Sequence, residues 1–177
     1  MYEIKNLQTK NFKPLDFFKS KTGDEHKINN LEEFLRQPNH QEMLLNGIHL
    51  ANRMQKLRGL LNDIYKNKND IYKNKIGKEI TIVINSAYRC PKINSLVGGS
   101  QKSQHMQLQA CDFYSPELEN VRLGDILRAI KEAKFEVDQM LVEETWIHFS
   151  CKLQNNRNMF GTYLYDAKVG KRVFKAI

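Results

Sequence analysis

Apolar residues in the first half of the chain recur at intervals of three and four. From His40 to Ile64 the series Met43, Leu44, Gly47, Ile48, Ala51, Met54, Leu57, Leu60, Leu61 and Ile64 marks one face of a long helix, and a shorter stretch of the same kind runs from Ile28 to Phe34. Pro38 precedes the long segment and Asn39 stands where an N-cap belongs. After Gly77 the period changes. Residues 79–85, EITIVIN, are β-branched and apolar and suit a buried strand. Gly98, Gly99 and Ser100 mark a loop, 110–114 a second strand that Pro116 ends, and 123–133 a helix. Two strands joined by a tight turn are expected at 139–142 and 146–151, with a last strand over 163–173. Helices followed by a mostly antiparallel sheet place the chain in the α+β class. A single domain is expected, with a helical framing region over about residues 1–76 and a sheet-and-site region over about 77–177.

Residues 62–68 read NDIYKNK, and so do residues 69–75. A unit of seven adds about two helical turns, so a helix can absorb the duplication and keep Ile64, Tyr65, Ile71 and Tyr72 near one face. Asn and Asp disfavour helix interiors, which leaves an extended loop as the other reading. Two copies fall far short of a repeat architecture, and neither carries catalytic chemistry.

Lys and Arg outnumber Asp and Glu by 28 to 20, a formal charge of +8. The excess points to an anionic partner, which could be nucleic acid, an anionic membrane or bacterial cell wall, or else to a solvated lysine-rich surface. Three widely spaced cysteines, Cys90, Cys111 and Cys151, make neither a disulfide framework nor a CxxC metal site. The opening residues hold no continuous apolar run, and no stretch approaches a membrane span. Synthesis in the cytoplasm without an ordinary signal peptide is the expectation.

His, Asp, Glu and Cys are the side chains that hold zinc, and a hydrolytic site leaves one position open for water. His105 and Asp112 lie seven residues apart, and His148 comes much later. On one helix, His105 and Asp112 would be displaced by about 10 Å along the axis, too far to share an ion. The segment between them must therefore fold back or pass from loop into strand.

The stretch SAYRCP at 86–91, then VGGSQKSQH and ACD, then DQMLVEETWIHFS, resembles the zinc D-Ala-D-Ala carboxypeptidase family and its relatives among phage endolysins. That family shows S-[GA]-Y-R-x-P, then S-x-H-x6-D, then Trp-x-His. The order and spacing agree over about residues 80–151, and three short motifs in one order seldom arise by accident. The resemblance implies a hedgehog/D,D-peptidase-like fold and a zinc peptidase that cuts peptidoglycan stem or cross-link peptides. It makes His105, Asp112 and His148 the zinc ligands. The family's general base precedes the last histidine, where this chain has Glu143 and Glu144. The D-Q-[LM]-[IL]-x-E pattern overlays Asp138 to Glu143 and favours Glu143. Period-two alternation running straight to His148 would favour Glu144, but a tight turn at Glu144 and Thr145 removes that argument.

Arg89 corresponds to the family's arginine and suits a substrate carboxylate or a developing oxyanion. Ser103 matches a substrate-contacting position, and Tyr88 and Trp146 are candidates for the cleft walls. One departure stands out: relatives carry H-x-x-G-x-A-x-D, and here Leu108 replaces the glycine. If that glycine serves a positive φ, the turn must be built differently. Cys111, beside Asp112 in a strand, should face away from the ligands and be buried.

The implied partner is bacterial peptidoglycan, reached by a monomeric phage or prophage lysis enzyme. A non-catalytic zinc-containing binding module on the same scaffold is the alternative. A nucleic-acid-binding role rests on charge alone, with no recognised motif, and is not expected.

Overall fold

The computed structural model describes residues 1–67 and 78–177. Short helices open the chain: α1 (Lys21–Glu25), α2 (Asn30–Leu35) and then the long α3 (His40–Asn62). Asn39 occupies the N-cap position of α3, but its side chain makes no capping hydrogen bond. After α3 the chain continues into a wider π-type turn, Asp63–Asn67, where the first NDIYKNK copy begins, and Tyr65 is buried there. The second copy, and with it the choice between helix and loop, lies outside the described residues.

Strand β1 (Val83–Ser86) is shorter and later than the apolar run suggested, although Ile80 and Ile82 ahead of it are buried. Helix α4 (Pro91–Leu96) comes next, with Pro91 in the first turn, where its missing N–H costs nothing. Then come β2 (Ala110–Tyr114), α5 (Leu123–Glu132), β3 (Gln139–Glu143), β4 (Trp146–Ser150), β5 (Met159–Asp166) and β6 (Lys171–Ala176). The single last strand expected over 163–173 is a correction: it is the hairpin β5–β6, closed by a turn that ends at Gly170 with φ +68°. Only a residue without Cβ adopts that φ at little cost.

Among the described residues the six strands form one sheet in the order β1-β2-β4-β3-β5-β6. Neighbours are antiparallel except β3 and β5, so the sheet is mixed. One face is apolar and buries Cys111, Phe113, Met140, Val142, Ile147 and Phe149 against α3 and α5. Cys111 touches Met54 of α3, and burial pushes its thiol well above the usual range, so it stays protonated in the core, as alternation required. A further aromatic cluster, Phe18, Phe34 and Tyr88, ties the first helices to the segment after β1, with Phe34 5.0 Å from each of the other two ring centres. No helix among the described residues is long and apolar enough to cross a membrane.

Candidate metal centre

The second face of the sheet carries the polar groups. Asp112 of β2 and His148 of β4 are direct cross-strand partners, and Leu141 of β3 pairs with His148 from the other side. Alternation puts Gln139 and Glu143 on this same face. At the edge, β1 contains a bulge between Ile84 and Ser86 that sets Ser86 opposite Asp112. A bulge bends the strand and re-aims the residues after it, here Ala87, Tyr88 and Arg89. The buried amide of Asn30 holds that segment by donating to the Tyr88 carbonyl (2.7 Å) and accepting from the Cys90 N–H (3.0 Å). This is one contribution of the N-terminal region to the site.

His105 arrives from a 3-10 turn, Gln104–Gln107, and Leu108 then reverses the chain into β2. Passage from turn to strand, and not a helix, brings His105 back to Asp112. Leu108 adopts φ +52° and ψ +34°, so the backbone form that glycine favours is kept and the turn is not rebuilt. Its side chain is fully buried in a notch opposite Gly47 of α3, where an added Cβ would lie 2.3 Å from Leu108 Cδ2.

The donors converge. His105 Nε2 lies 3.2 Å from His148 Nδ1 and 3.3 Å from Asp112 Oδ1, and His148 Nδ1 lies 2.9 Å from the same oxygen. Metal–donor bonds of about 2.0–2.1 Å in a tetrahedron imply donor–donor edges of about 3.3 Å. The three groups therefore fit zinc's size and ligand preference, with one vertex left over. The surrounding bonds fix their roles. His105 Nδ1 is 2.7 Å from the Ala87 carbonyl, which takes the ring proton there and leaves Nε2 with its lone pair outward. Burial lowers the His105 pKa and favours the neutral ligand form. Asp112 lies well below the usual carboxylate range, because the adjoining His105 and His148 imidazoles outweigh a burial effect that alone would raise it. Its Oδ2 accepts from the Arg89 guanidinium, leaving Oδ1 for an ion.

An open cavity of about 710 Å³ lies over these groups. Arg89, Ser103 and Glu143 line it with the three donors; Glu144, Tyr88 and Trp146 do not. Glu143 is partly buried, and burial raises its pKa. Glu144 sits in the β3–β4 turn at φ +49°, exposed. Arg172 of β6 holds both carboxylates, at 3.1 Å to Glu143 and 2.7 Å to Glu144. Tyr88 is a correction to the expected cleft wall: it is 1% exposed and packed edge-on against Phe34. Trp146 shares the donors' sheet face but stands at the strand's end, off the cavity, with its indole N–H buried and unpartnered among the described residues. Arg89 reaches the cavity but is tied to Asp112 and, through Nε, to Ser86 Oγ at 3.0 Å. Arg157, Arg172, Tyr163 and Phe174 also line the cavity, although no sequence motif singles them out.

Two imidazoles and one carboxylate at tetrahedral spacing, beside a partly buried glutamate in an open cleft, are the donor set of metal-dependent hydrolases. The family model described as Peptidase M15 matches residues 59–150, more than half of the chain, and spans all three donors. The chain belongs to the peptidase M15 family. Membership implies a peptidase, and peptidases of this family are typically metal-dependent. Comparison with curated proteins returned no match.

Proposed function

We propose that the chain is a zinc peptidase that hydrolyses stem or cross-link peptides of bacterial peptidoglycan, as a D,D-carboxypeptidase or an endolysin-type endopeptidase. The observation that carries this reading is the convergence of His105 Nε2, Asp112 Oδ1 and His148 Nδ1 within 3.3 Å of one another at the floor of an open cleft. Bound there, zinc supplies Lewis-acid polarisation of the scissile carbonyl and a lowered pKa for water.

The chain's own residues then have distinct tasks. Glu143 takes the proton of the attacking water and returns it to the leaving amine; its partial burial raises its pKa, which suits a group that must both accept and release a proton. Arg172 steers its carboxylate through the bond to Oε2. Arg89 orients Asp112 and presents positive charge to the oxyanion that develops on the attacked carbonyl. Ser103, at the entrance to the His105 turn, supplies a hydroxyl to the substrate backbone. The peptidoglycan assignment draws on the three motifs around SAYRCP, SQH–ACD and WIH, on the net charge of +8 against an anionic wall, and on an open cleft of about 710 Å³. The alternative, a non-catalytic binding module, would draw its support from Leu108 standing at the family's glycine position, and Leu108 keeps the left-handed turn that glycine would make.

The test is release of peptide fragments from purified peptidoglycan by the zinc-loaded protein, by the chelated protein and by His148→Ala. Release by the loaded protein alone is expected. Equal release in all three would refute the assignment.

A further inference from the structure

Asp138 is fully buried at the start of β3, an unusual place for a charge without strong partners. It has them. The Arg157 guanidinium donates through Nε, at 3.1 Å to each carboxylate oxygen, and through Nη2; the Arg157 backbone N–H adds a bond to Oδ1 at 3.2 Å. Lys152 Nζ lies 3.0 Å from Oδ1, and the Gln104 amide donates to Oδ2 at 3.0 Å. Two cations face one anion, so the cluster keeps a net positive charge. Its outer member is Arg157, whose side chain is 48% exposed and lines the same cavity as His105, Asp112 and His148. Nη1 of Arg157 has no partner among the described residues. Arg157 Nη2 is 3.4 Å from Gln104 Oε1, and Gln104 is the residue before His105. Arg157 therefore lines the cavity of the candidate metal centre with its guanidinium fixed by a buried carboxylate. Arg89 is already committed to Asp112 and Arg172 to the two glutamates. Of the cavity's arginines, Arg157 is the one whose anchoring carboxylate is neither a candidate metal ligand nor a candidate catalytic group.

We infer that Arg157, braced by Asp138, is a substrate-binding residue that takes a carboxylate of the peptide near the scissile bond. The inference rests on the peptidase reading, and it makes the preferred substrate a peptide bearing a free carboxylate close to the cut. The two N–H groups of Nη1, charged and held in a fixed plane, suit that partner and favour it over a carboxamide of equal size.

The test measures binding of a synthetic stem-type pentapeptide ending in D-Ala-D-Ala by calorimetry, using zinc-loaded Glu143→Gln so that the peptide persists. Two analogues are compared with it, one with a C-terminal carboxamide and one with the internal glutamate replaced by glutamine. About tenfold weaker binding of at least one analogue is expected, and it identifies which carboxylate is read. Adding Arg157→Met should bring acid and amide within about twofold, and Arg157→Lys, which keeps the charge and the Asp138 partner, should retain part of the preference. Equal binding of all three peptides, or a preference that survives Arg157→Met, overturns the inference. Should Arg157→Met fail to fold, Arg157→Lys and the three-peptide comparison decide. Cleavage separates the two proposals: a wild-type protein that cuts acid and amides alike keeps the peptidase reading and loses this one. A protein that shows the preference but cuts none of them does the reverse.

Discussion

The pairing of Leu108 with Gly47 offers a quantitative test of how the His105 turn is held. A leucine in the left-handed region costs about 1–2 kcal/mol relative to glycine. Against this, its side chain is fully buried against α3, and removing a buried leucine side chain costs about 3–5 kcal/mol. Leu108→Gly should therefore destabilise the fold by about 2–3 kcal/mol even though it relieves the backbone. Gly47→Ala ought to gain up to about 1 kcal/mol from helix propensity. In this helix the new methyl would lie 2.3 Å from Leu108 Cδ2 and 2.8 Å from Cγ. Rotating the leucine terminus does not clear Cγ, so a net loss of about 1–2 kcal/mol is expected from overpacking. With Leu108→Gly already present only the tip of Leu7, 3.0 Å from the new methyl, has to shift, and the same alanine becomes favourable. Urea unfolding of the wild type, both single variants and the double variant should give a coupling of about 2 kcal/mol. Additivity within about 0.5 kcal/mol would refute the interlocking of notch and side chain. The singles should also bind zinc more weakly, because the turn that carries His105 loosens.

Other predictions address the chemistry and the charge network. Asp112→Ala should abolish stoichiometric zinc binding measured by atomic absorption after dialysis, and retained stoichiometry would contradict its role. Glu143→Gln should keep the metal and lower kcat by about 10²–10⁴-fold, while Glu144→Gln stays within a few-fold in the same peptide-release assay. Because burial raises the Glu143 pKa, kcat/KM should fall as pH drops through a value above the ordinary glutamate range; Arg172→Met, which removes a charge that lowers this pKa, should move that limb to higher pH. Burial works to raise the pKa of Asp138, yet the bonds from Arg157 and Lys152 bring it down to about 2 from 3.8. A depressed folded pKa means stability that is full above about 4 and is lost as pH falls toward 2, amounting to about 2 kcal/mol. Urea midpoints from pH 5 to pH 2 should show that loss, and Asp138→Asn should flatten it; an unchanged slope would be contrary.

The parts that sequence made legible are those written in a local period. The apolar series at 43–64 specified α3 almost to its ends, and alternation in 110–114 placed Cys111 in the core and Asp112 on the opposite face. The helical-distance argument correctly required a reversal between His105 and Asp112. What stayed hidden depends on partners far along the chain. The role of Tyr88 is set by Phe18 and Phe34 and by the β1 bulge, none of which its neighbours announce. Arg157 gains meaning only from Asp138, nineteen residues earlier, across the crossover that makes β3 and β5 parallel. The β5–β6 hairpin did carry a local signal, a glycine-containing turn between aromatic and β-branched runs, and reading one strand there missed the wall that brings Tyr163, Arg172 and Phe174 to the cleft.

The most direct measurement is anomalous diffraction at the zinc absorption edge from crystals of the zinc-loaded protein. The expected result is a single strong peak within bonding distance of His105 Nε2, Asp112 Oδ1 and His148 Nδ1. A peak bound elsewhere, or full zinc loading with no density among these three side chains, would contradict the metal centre on which the functional reading stands.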